Sequence, residues 1–174
     1  IIVDAINNGN ISGLDSVGGI LGYYYCDDDM LLENTNNSGT ITGRTAVGGI
    51  VGMGGGVSMS GPPSAGIGCV SVSRAENSGA VSGSGNSVGG IIGVGTSSKS
   101  IDNVLNTGTV QGRDQVGGII GNSVEGIVEN ALNLGQVIAT DGNAQYCGGI
   151  VGWGPGAIVS DKAVYATTDK DGNT

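Results

Sequence analysis

The sequence has no histidine and no phenylalanine, and it contains only one tryptophan and five tyrosines. Because large aromatic residues are so few, the interior has to be narrow and built from Ile, Val, Leu and small side chains. Three cysteines, Cys26, Cys69 and Cys147, stand at unrelated spacings, with no C-x-x-C pair and no histidine to complete a zinc site. We therefore predict no metal centre and no cofactor.

Basic residues and long apolar runs are also scarce. Six Lys and Arg residues stand against fifteen Asp and Glu residues, which gives a formal net charge of -9. A charge of this sign repels nucleic-acid phosphates and anionic lipid surfaces. No apolar stretch approaches the roughly 20 residues that a membrane-spanning helix needs. The composition thus predicts no nucleic-acid partner and no membrane insertion.

Glycine, in contrast, is abundant, with 37 residues, and it marks an internal repeat. The string N-x-G-x-[IV] occurs five times, and each copy is followed by G-G-I-[LVI]-G. The second strings start at Gly18, Gly48, Gly89, Gly117 and Gly148, so that successive starts differ by 30, 41, 28 and 31 residues. One interval is long, and we assign its extra residues to an inserted loop at about 54–68, where glycines and Pro62-Pro63 cluster.

Short extended segments alternate with glycine within each period. None of these segments is long enough for a helix, and helices tolerate glycine poorly, at roughly 1 kcal/mol per residue relative to alanine. A unit with three small strands cannot bury its apolar face alone, so the units have to stack at a strand spacing of roughly 4.8 Å. We predict an all-β fold, a single-stranded β-solenoid (β-helix) of about five coils with three short strands per coil. One domain is expected over residues 1–174, with a polar tail at 167–174.

Stacking predicts columns of equivalent side chains. One column holds Ile11, Ile41, Val81, Val110 and Val137, and another holds Val17, Val47, Val88, Val116 and Cys147. Cys147 is predicted to be a buried thiol that acts as a small hydrophobe. The asparagines Asn7, Asn37, Asn77, Asn106 and Asn133 are predicted to form a structural ladder of hydrogen bonds. The alternative for them is a row of exposed groups that donate hydrogen bonds to carbohydrate.

The two aliphatic residues after each Gly-Gly pair raise a problem of strand parity. Ile20 lies three residues after Val17 and Leu21 lies four after it, so in a regular strand only one of them shares the face of Val17. We predict that the Gly-Gly pair bends the chain and that both residues are buried. The alternative is an outward stripe of aliphatic side chains, which would be a site for lateral packing.

Two segments are candidate ligand sites. The first is the run Tyr23, Tyr24, Tyr25, Asp27, Asp28 and Asp29, in which the tyrosines could bind sugar and the aspartates a cation. A solvated loop is the preferred interpretation, because consecutive residues of an extended chain point to opposite sides. The second is the weak calcium candidate Asp169, Asp171 and Asn173, where side-chain oxygens alternate but no later bidentate Glu follows. No catalytic residue is predicted.

The string N-x-G-x-[IV]-x-G followed by V-G-G-I-[IVL]-G resembles the bacterial GLUG repeat, which occurs in large surface proteins such as adhesin-like proteins and immunoglobulin A1 protease-type metallopeptidases. The match extends over nearly the whole chain. The fifth copy departs from it, with Ala139 in place of the second glycine and Cys147 in place of valine. The resemblance implies an extracellular or cell-surface setting in bacteria and implies no catalytic residue. The zinc-binding H-E-x-x-H of the metallopeptidases has no counterpart, since the chain has no histidine.

We therefore expect a structural or adhesive repeat segment of a bacterial cell-surface or secreted protein, acting as a stalk or binding surface and not as an enzyme. The rival functions are a carbohydrate-binding module and a β-helix enzyme that cleaves glycans. Such an enzyme needs a basic residue beside acidic ones in one groove, whereas the six basic residues are scattered singly. Candidate partners are a host protein, a glycan, and further copies of the chain that stack end to end.

Overall fold

A computed structural model describes residues 1–25, 29–55, 70–95, 100–123, 125–159 and 164–165. These residues form 23 β-strands and no helix, and thus no helix among them could cross a membrane. Every strand pairing is parallel and joins equivalent strands of neighbouring repeats. The predicted β-solenoid is confirmed.

The strands follow the repeat along the chain. The first coil contains β1 (Ile2–Val3), β2 (Ile6–Asn7), β3 (Ile11–Ser12), β4 (Asp15–Gly18) and β5 (Leu21–Tyr24). The second contains β6 (Met30–Asn37), β7 (Ile41–Gly43), β8 (Thr45–Gly48) and β9 (Val51–Gly54). The third contains β10 (Val70–Asn77), β11 (Val81–Gly83), β12 (Asn86–Gly89) and β13 (Ile92–Gly95).

The fourth coil contains β14 (Ser100–Asn106), β15 (Val110–Gly112), β16 (Asp114–Gly117) and β17 (Ile120–Ser123). The fifth contains β18 (Glu125–Asn133), β19 (Val137–Ala139), β20 (Cys147–Gly148) and β21 (Val151–Trp153). Two further strands, β22 (Gly156–Val159) and β23 (Val164–Tyr165), pair with β18 and begin a sixth coil. The inserted loop predicted at about 54–68 starts where β9 ends, and residues 56–69 lie outside the described part of the chain.

Each coil from the second to the fifth has four strands instead of the predicted three. Equivalent strands stack into four parallel sheets. Sheet A holds β1, β2, β6, β10, β14, β18, β22 and β23; sheet B holds β3, β7, β11, β15 and β19; sheet C holds β4, β8, β12, β16 and β20; sheet D holds β5, β9, β13, β17 and β21. The V-G-G-I-[LVI] stretch, one of the three extended segments predicted for each coil, is divided between two strands, because β8 ends at Gly48 and β9 begins at Val51.

The chain turns a tight corner between β8 and β9, and glycine makes this corner possible. A Cβ atom on Gly48 would lie 1.9 Å from the carbonyl oxygen of Val51 and 2.7 Å from the backbone nitrogen of Gly93 in the next coil. Both contacts are with backbone, which cannot rotate away as a side chain can. The repeated Gly-Gly pair is therefore required by close approach of the backbone at the corner.

The corner divides the interior into two hydrophobic clusters. The larger cluster includes Leu32 and Val72 of sheet A, together with Ile50 and Val51. The smaller cluster, between sheets B and C, consists of Val17, Ile41, Val47, Val81, Val88, Val110 and Val116. Ile20 and Leu21 of the first coil are half-buried, whereas the equivalent Ile50 and Val51 of the second coil are fully buried, so the predicted bend is confirmed there. They do not share a core with Val47, however, because the chain passes from one cluster to the other at the corner.

A second column of bends lies in sheet A. Equivalent residues of the five coils have a positive φ between 45° and 56°, namely Asp4, Asn34, Arg74, Asn103 and Asn130. Such a residue interrupts the alternation of side chains along a strand. Leu32 and Thr35, which are three residues apart, are therefore both buried. Asn and Asp adopt this left-handed conformation more readily than most residues, which suits four of the five positions.

The prediction that Cys147 is buried is wrong. Cys147 pairs in register with Val116 as the repeat predicts, but its side chain is exposed. The reason is its place in sheet C, where β20 is the last described strand and none covers it. Partial desolvation raises the pKa of the thiol, a hydrogen bond with the Ala139 backbone opposes the rise, and the Asp114 carboxylate adds to it. A raised pKa leaves little reactive thiolate at neutral pH.

Candidate functional site

The five repeated asparagines form one continuous ladder. Each is the last residue of a sheet A strand, so parallel stacking places its amide one strand spacing from the next. Asn37 donates from Nδ2 to Asn77 Oδ1 at 2.7 Å and to the Gly39 carbonyl oxygen at 2.9 Å. The other three steps have amide-to-amide distances of 2.6, 2.8 and 2.7 Å, and they join Asn7 to Asn37, Asn77 to Asn106 and Asn106 to Asn133.

The ladder packs against the Gly-Gly corner, where the chain crosses from the smaller hydrophobic cluster to the larger one. A Cβ atom on Gly49 would lie 2.5 Å from Asn77 Cγ. Four members of the ladder are at most 1% exposed, namely Asn37, Asn77, Asn106 and Asn133, whereas Asn7 in the first coil is half-buried. The amides of these four residues are closed to a carbohydrate in solution, and they bond to one another instead.

The tyrosine segment does not form one site. Tyr23 and Tyr25 are 45% and 53% exposed, whereas Tyr24 packs against the larger hydrophobic cluster. The alternation follows from the extended conformation of β5, which turns successive side chains to opposite faces. Asp29 is exposed. Asp27 and Asp28 lie outside the described residues.

The structure likewise leaves the calcium candidate undescribed, because Asp169, Asp171 and Asn173 all belong to the segment after residue 165. Within the described ranges, no group of three or more His, Cys, Asp or Glu side chains could hold a metal ion. A cation site is therefore not assigned to any described residue.

Each arginine in the described part of the chain forms an ion pair with a carboxylate of a neighbouring coil. The pairs are Arg44 with Asp15, Arg74 with Glu33, and Arg113 with Asp141. In the first pair two parallel bonds form, from Nε to Oδ1 at 3.1 Å and from Nη2 to Oδ2 at 2.6 Å. This contact with Arg44 lowers the pKa of Asp15. The first pair joins the first and second coils, the second pair joins the second and third, and the third pair joins the fourth and fifth.

Sequence reasoning missed an aromatic contact in the fifth coil. The rings of Tyr146 and Trp153 meet edge to face, with 6.3 Å between centroids and an interplanar angle of 65°. Trp153 is in register with Asn122 of sheet D, and Tyr146 is 38% exposed. The repeat contains no aromatic residue at the equivalent positions of coils two to four, so periodicity gave no signal for this pair.

The fold and the buried ladder define a parallel β-solenoid. No protein-family model matches the chain, and neither does any curated protein. Among solved structures, the chain is similar to the crystal structure of a "putative immunoglobulin A1 protease" from Bacteroides ovatus. The TM-score is 0.60 and the identity is 24%, over 88% of this chain and 45% of that chain. The chain thus spans less than half of that protein, and a likeness at this identity shows a related fold alone.

Proposed function

We propose that this chain is a non-catalytic structural segment of a bacterial cell-surface or secreted protein, which extends and presents a binding surface in the manner of a stalk. One observation carries the proposal. The residues repeated in all five coils are the ones that build the interior, that is, the ladder asparagines, the cluster aliphatics and the corner glycines.

The side chains that lie outside the core, in contrast, change from coil to coil. One column of sheet D, which is exposed in the first coil and half-buried in the other four, holds Tyr23, Met53, Val94, Asn122 and Trp153. A segment that serves as a scaffold has to repeat its interior, whereas its surface is free to vary. This division between a repeated inside and a variable outside supports a scaffold that presents different side chains along its length.

The ion pairs of the arginines support a non-catalytic role. A glycan-cleaving site needs a basic group that is free to take a proton, close to acidic groups. Arg44, Arg74 and Arg113 are each engaged with a carboxylate. The location at the cell surface rests on the resemblance of the repeat to the GLUG repeat, and the name of the similar solved structure agrees with it.

The test places the chain between a membrane anchor and an epitope on a bacterial surface. The comparison variant lacks residues 71–99, so that Ser100 takes the place of Ser71 and one coil is removed in register. We expect the distance from membrane to epitope, read by energy transfer to a membrane dye, to fall by about 4.8 Å. An unchanged distance, or release of products from a panel of polysaccharides or from immunoglobulin A1, would contradict the proposal.

A further inference from the structure

We propose that a polar depression on the outer face of sheet A binds one ring of a neutral carbohydrate, an inference that rests on the presenting role proposed above. The depression has a volume of about 180 Å³ and spans the first three coils. It is lined by Asn8, Asn36, Asn37, Ser38, Glu76 and Ser78.

The depression forms because, in the second and third coils, a short side chain follows two residues after a longer one. Asn36 and Glu76 lie in register on adjacent strands, β6 and β10, one strand spacing apart. Beside them, just past the ends of these strands, lie the short side chains of Ser38 and Ser78. In the fourth coil the position equivalent to Glu76 is Leu105, so the polar surface ends there.

The lining groups offer hydrogen-bonding capacity that the protein leaves unused. Among the described residues, neither the Asn36 amide nor the Glu76 carboxylate has a hydrogen-bond partner. Asn8 Oδ1 accepts from Ser38 Oγ at 2.8 Å, which leaves the Asn8 Nδ2 group to donate. Donors and acceptors thus stand side by side. Adjacent sugar hydroxyls, each of which both donates and accepts, match such a surface.

Other ligand classes fit this lining poorly. Among the residues that the structure describes, no apolar side chain lines the depression and Glu76 is its one charged group, so neither an apolar ligand nor an anion is favoured. Calcium takes about six to eight oxygen ligands and usually several carboxylates, whereas here there is one. The volume is below the roughly 300 Å³ at which pockets for larger ligands begin, which suits a single ring.

Apolar residues flank the depression along the same column. Ile6, which is 67% exposed, is in register with Asn36, and the half-buried Leu105 is in register with Glu76. The C–H face of a sugar ring is apolar and can lie against such side chains while its hydroxyls reach the amide and the carboxylate. The column therefore presents both kinds of contact that a carbohydrate makes.

The test begins with an array of neutral, sialylated and sulfated oligosaccharides, followed by NMR titration of the ¹⁵N-labelled chain with the methyl glycosides of the neutral sugars retained. We expect neutral sugars to bind and to shift the side-chain amide signals of Asn8 and Asn36. Replacement of Asn36 or Glu76 by Ala should raise the Kd for the sugar by about tenfold or more, since each change removes hydrogen bonds to the sugar.

Matched controls separate this effect from a change in fold. Asn86→Ala and Glu129→Ala alter the same residue types at exposed positions outside the depression and should leave Kd unchanged. Absence of neutral-sugar binding, a preference for sialylated sugars, or equal affinity of Asn36→Ala, Glu76→Ala and the unaltered chain would overturn the inference. The epitope-distance measurement is independent of these residues, so the presenting role can hold even where the sugar site fails.

Discussion

Asn77 donates a hydrogen bond from its side-chain nitrogen to Asn106 Oδ1 at 2.8 Å, and the same nitrogen donates to the carbonyl oxygen of Gly79 at 2.8 Å. Its own Oδ1 accepts from Asn37 at 2.7 Å. Both hydrogens and the oxygen of the amide are therefore used inside one column. This arrangement explains how a polar side chain can be fully buried, and why the same residue type recurs at every coil.

Replacement of Asn77 by Ala should reduce the free energy of unfolding by about 3 kcal/mol or more. The change leaves an Asn37 hydrogen, Asn106 Oδ1 and the Gly79 carbonyl without their partners, and each unsatisfied buried group costs about 1–3 kcal/mol. Urea unfolding followed by circular dichroism measures the effect. Asn7→Ala is the matched control, since Asn7 is half-buried at the first coil and its loss should cost about 1 kcal/mol. Equal losses in the two variants would contradict a buried ladder.

A single methyl group at the corner should prevent native stacking. A Cβ atom on Gly49 would lie 2.1 Å from the carbonyl oxygen of Gly90 in the next coil, which is far inside van der Waals contact. We expect Gly49→Ala to destabilise the chain by more than about 3 kcal/mol, through strain that the backbone cannot relieve.

Gly142→Ala provides the comparison, since a Cβ atom there meets nothing within 4 Å. That variant should unfold within about 0.5 kcal/mol of the unaltered chain. Thermal unfolding measures the melting temperatures of the two variants. Similar melting temperatures for Gly49→Ala and Gly142→Ala would show that the corner is not as tight as the structure has it.

Thr35 offers a stabilising substitution. Its hydroxyl oxygen is buried without a hydrogen-bond partner in the described part of the protein, and the equivalent residue of the fourth coil is Val104. Thr35→Val keeps the shape and removes the unsatisfied group, so we expect a gain of about 1 kcal/mol in the free energy of unfolding. Thr42→Val, at an exposed position of sheet B, should change it by less than about 0.5 kcal/mol. A loss of stability in Thr35→Val would mean that the hydroxyl has a partner after all.

Cys147 should react slowly with iodoacetamide at neutral pH although its side chain is exposed. Desolvation raises the pKa of the thiol above its ordinary value of 9.0, so the reactive thiolate forms only as the pH passes that value. The rate is measured in a variant with Cys26 and Cys69 replaced by Ser, and the same variant unfolded in urea is the reference. We expect the folded protein to reach half its maximal rate at a higher pH than the unfolded protein does. A midpoint below that of the unfolded protein would reverse the sign of the shift.

The stacking of the coils was predictable because parallel strands preserve register. Asn37 lies over Asn77, and Ile41 lies over Val81, as the spacing of the N-x-G strings indicates. The division of the interior was harder to foresee. Val47 and Ile50 are both aliphatic and close in sequence, and hydrophobic pattern alone cannot tell that a tight glycine corner sends them into different clusters.

The bends of sheet A did leave a trace in the sequence. Asp4, Asn34, Asn103 and Asn130 occupy equivalent positions, and Asp or Asn at a regular spacing is a signal for left-handed backbone. Arg74 obscures it in the third coil. The exposure of Cys147 could not be predicted from its column, since periodicity identifies the neighbours of a residue only where a further coil follows. Nor could the polar depression, which depends on the relative lengths of side chains on three different coils.

The central claim is that equivalent residues of successive coils lie directly over one another, and disulfide cross-linking tests it most directly. Ser82 and Gln111 face outward on adjacent strands of sheet B, and Ile138 follows Gln111 in the same column. In a background with the three native cysteines replaced by Ser, Ser82→Cys with Gln111→Cys should form a disulfide under mild oxidation. Neighbouring strands are about 4.8 Å apart, within the range that a disulfide spans. Ser82→Cys with Ile138→Cys should not, because two coil steps separate those positions by about 10 Å. A cross-link in the second pair and none in the first would contradict the stacked-coil structure.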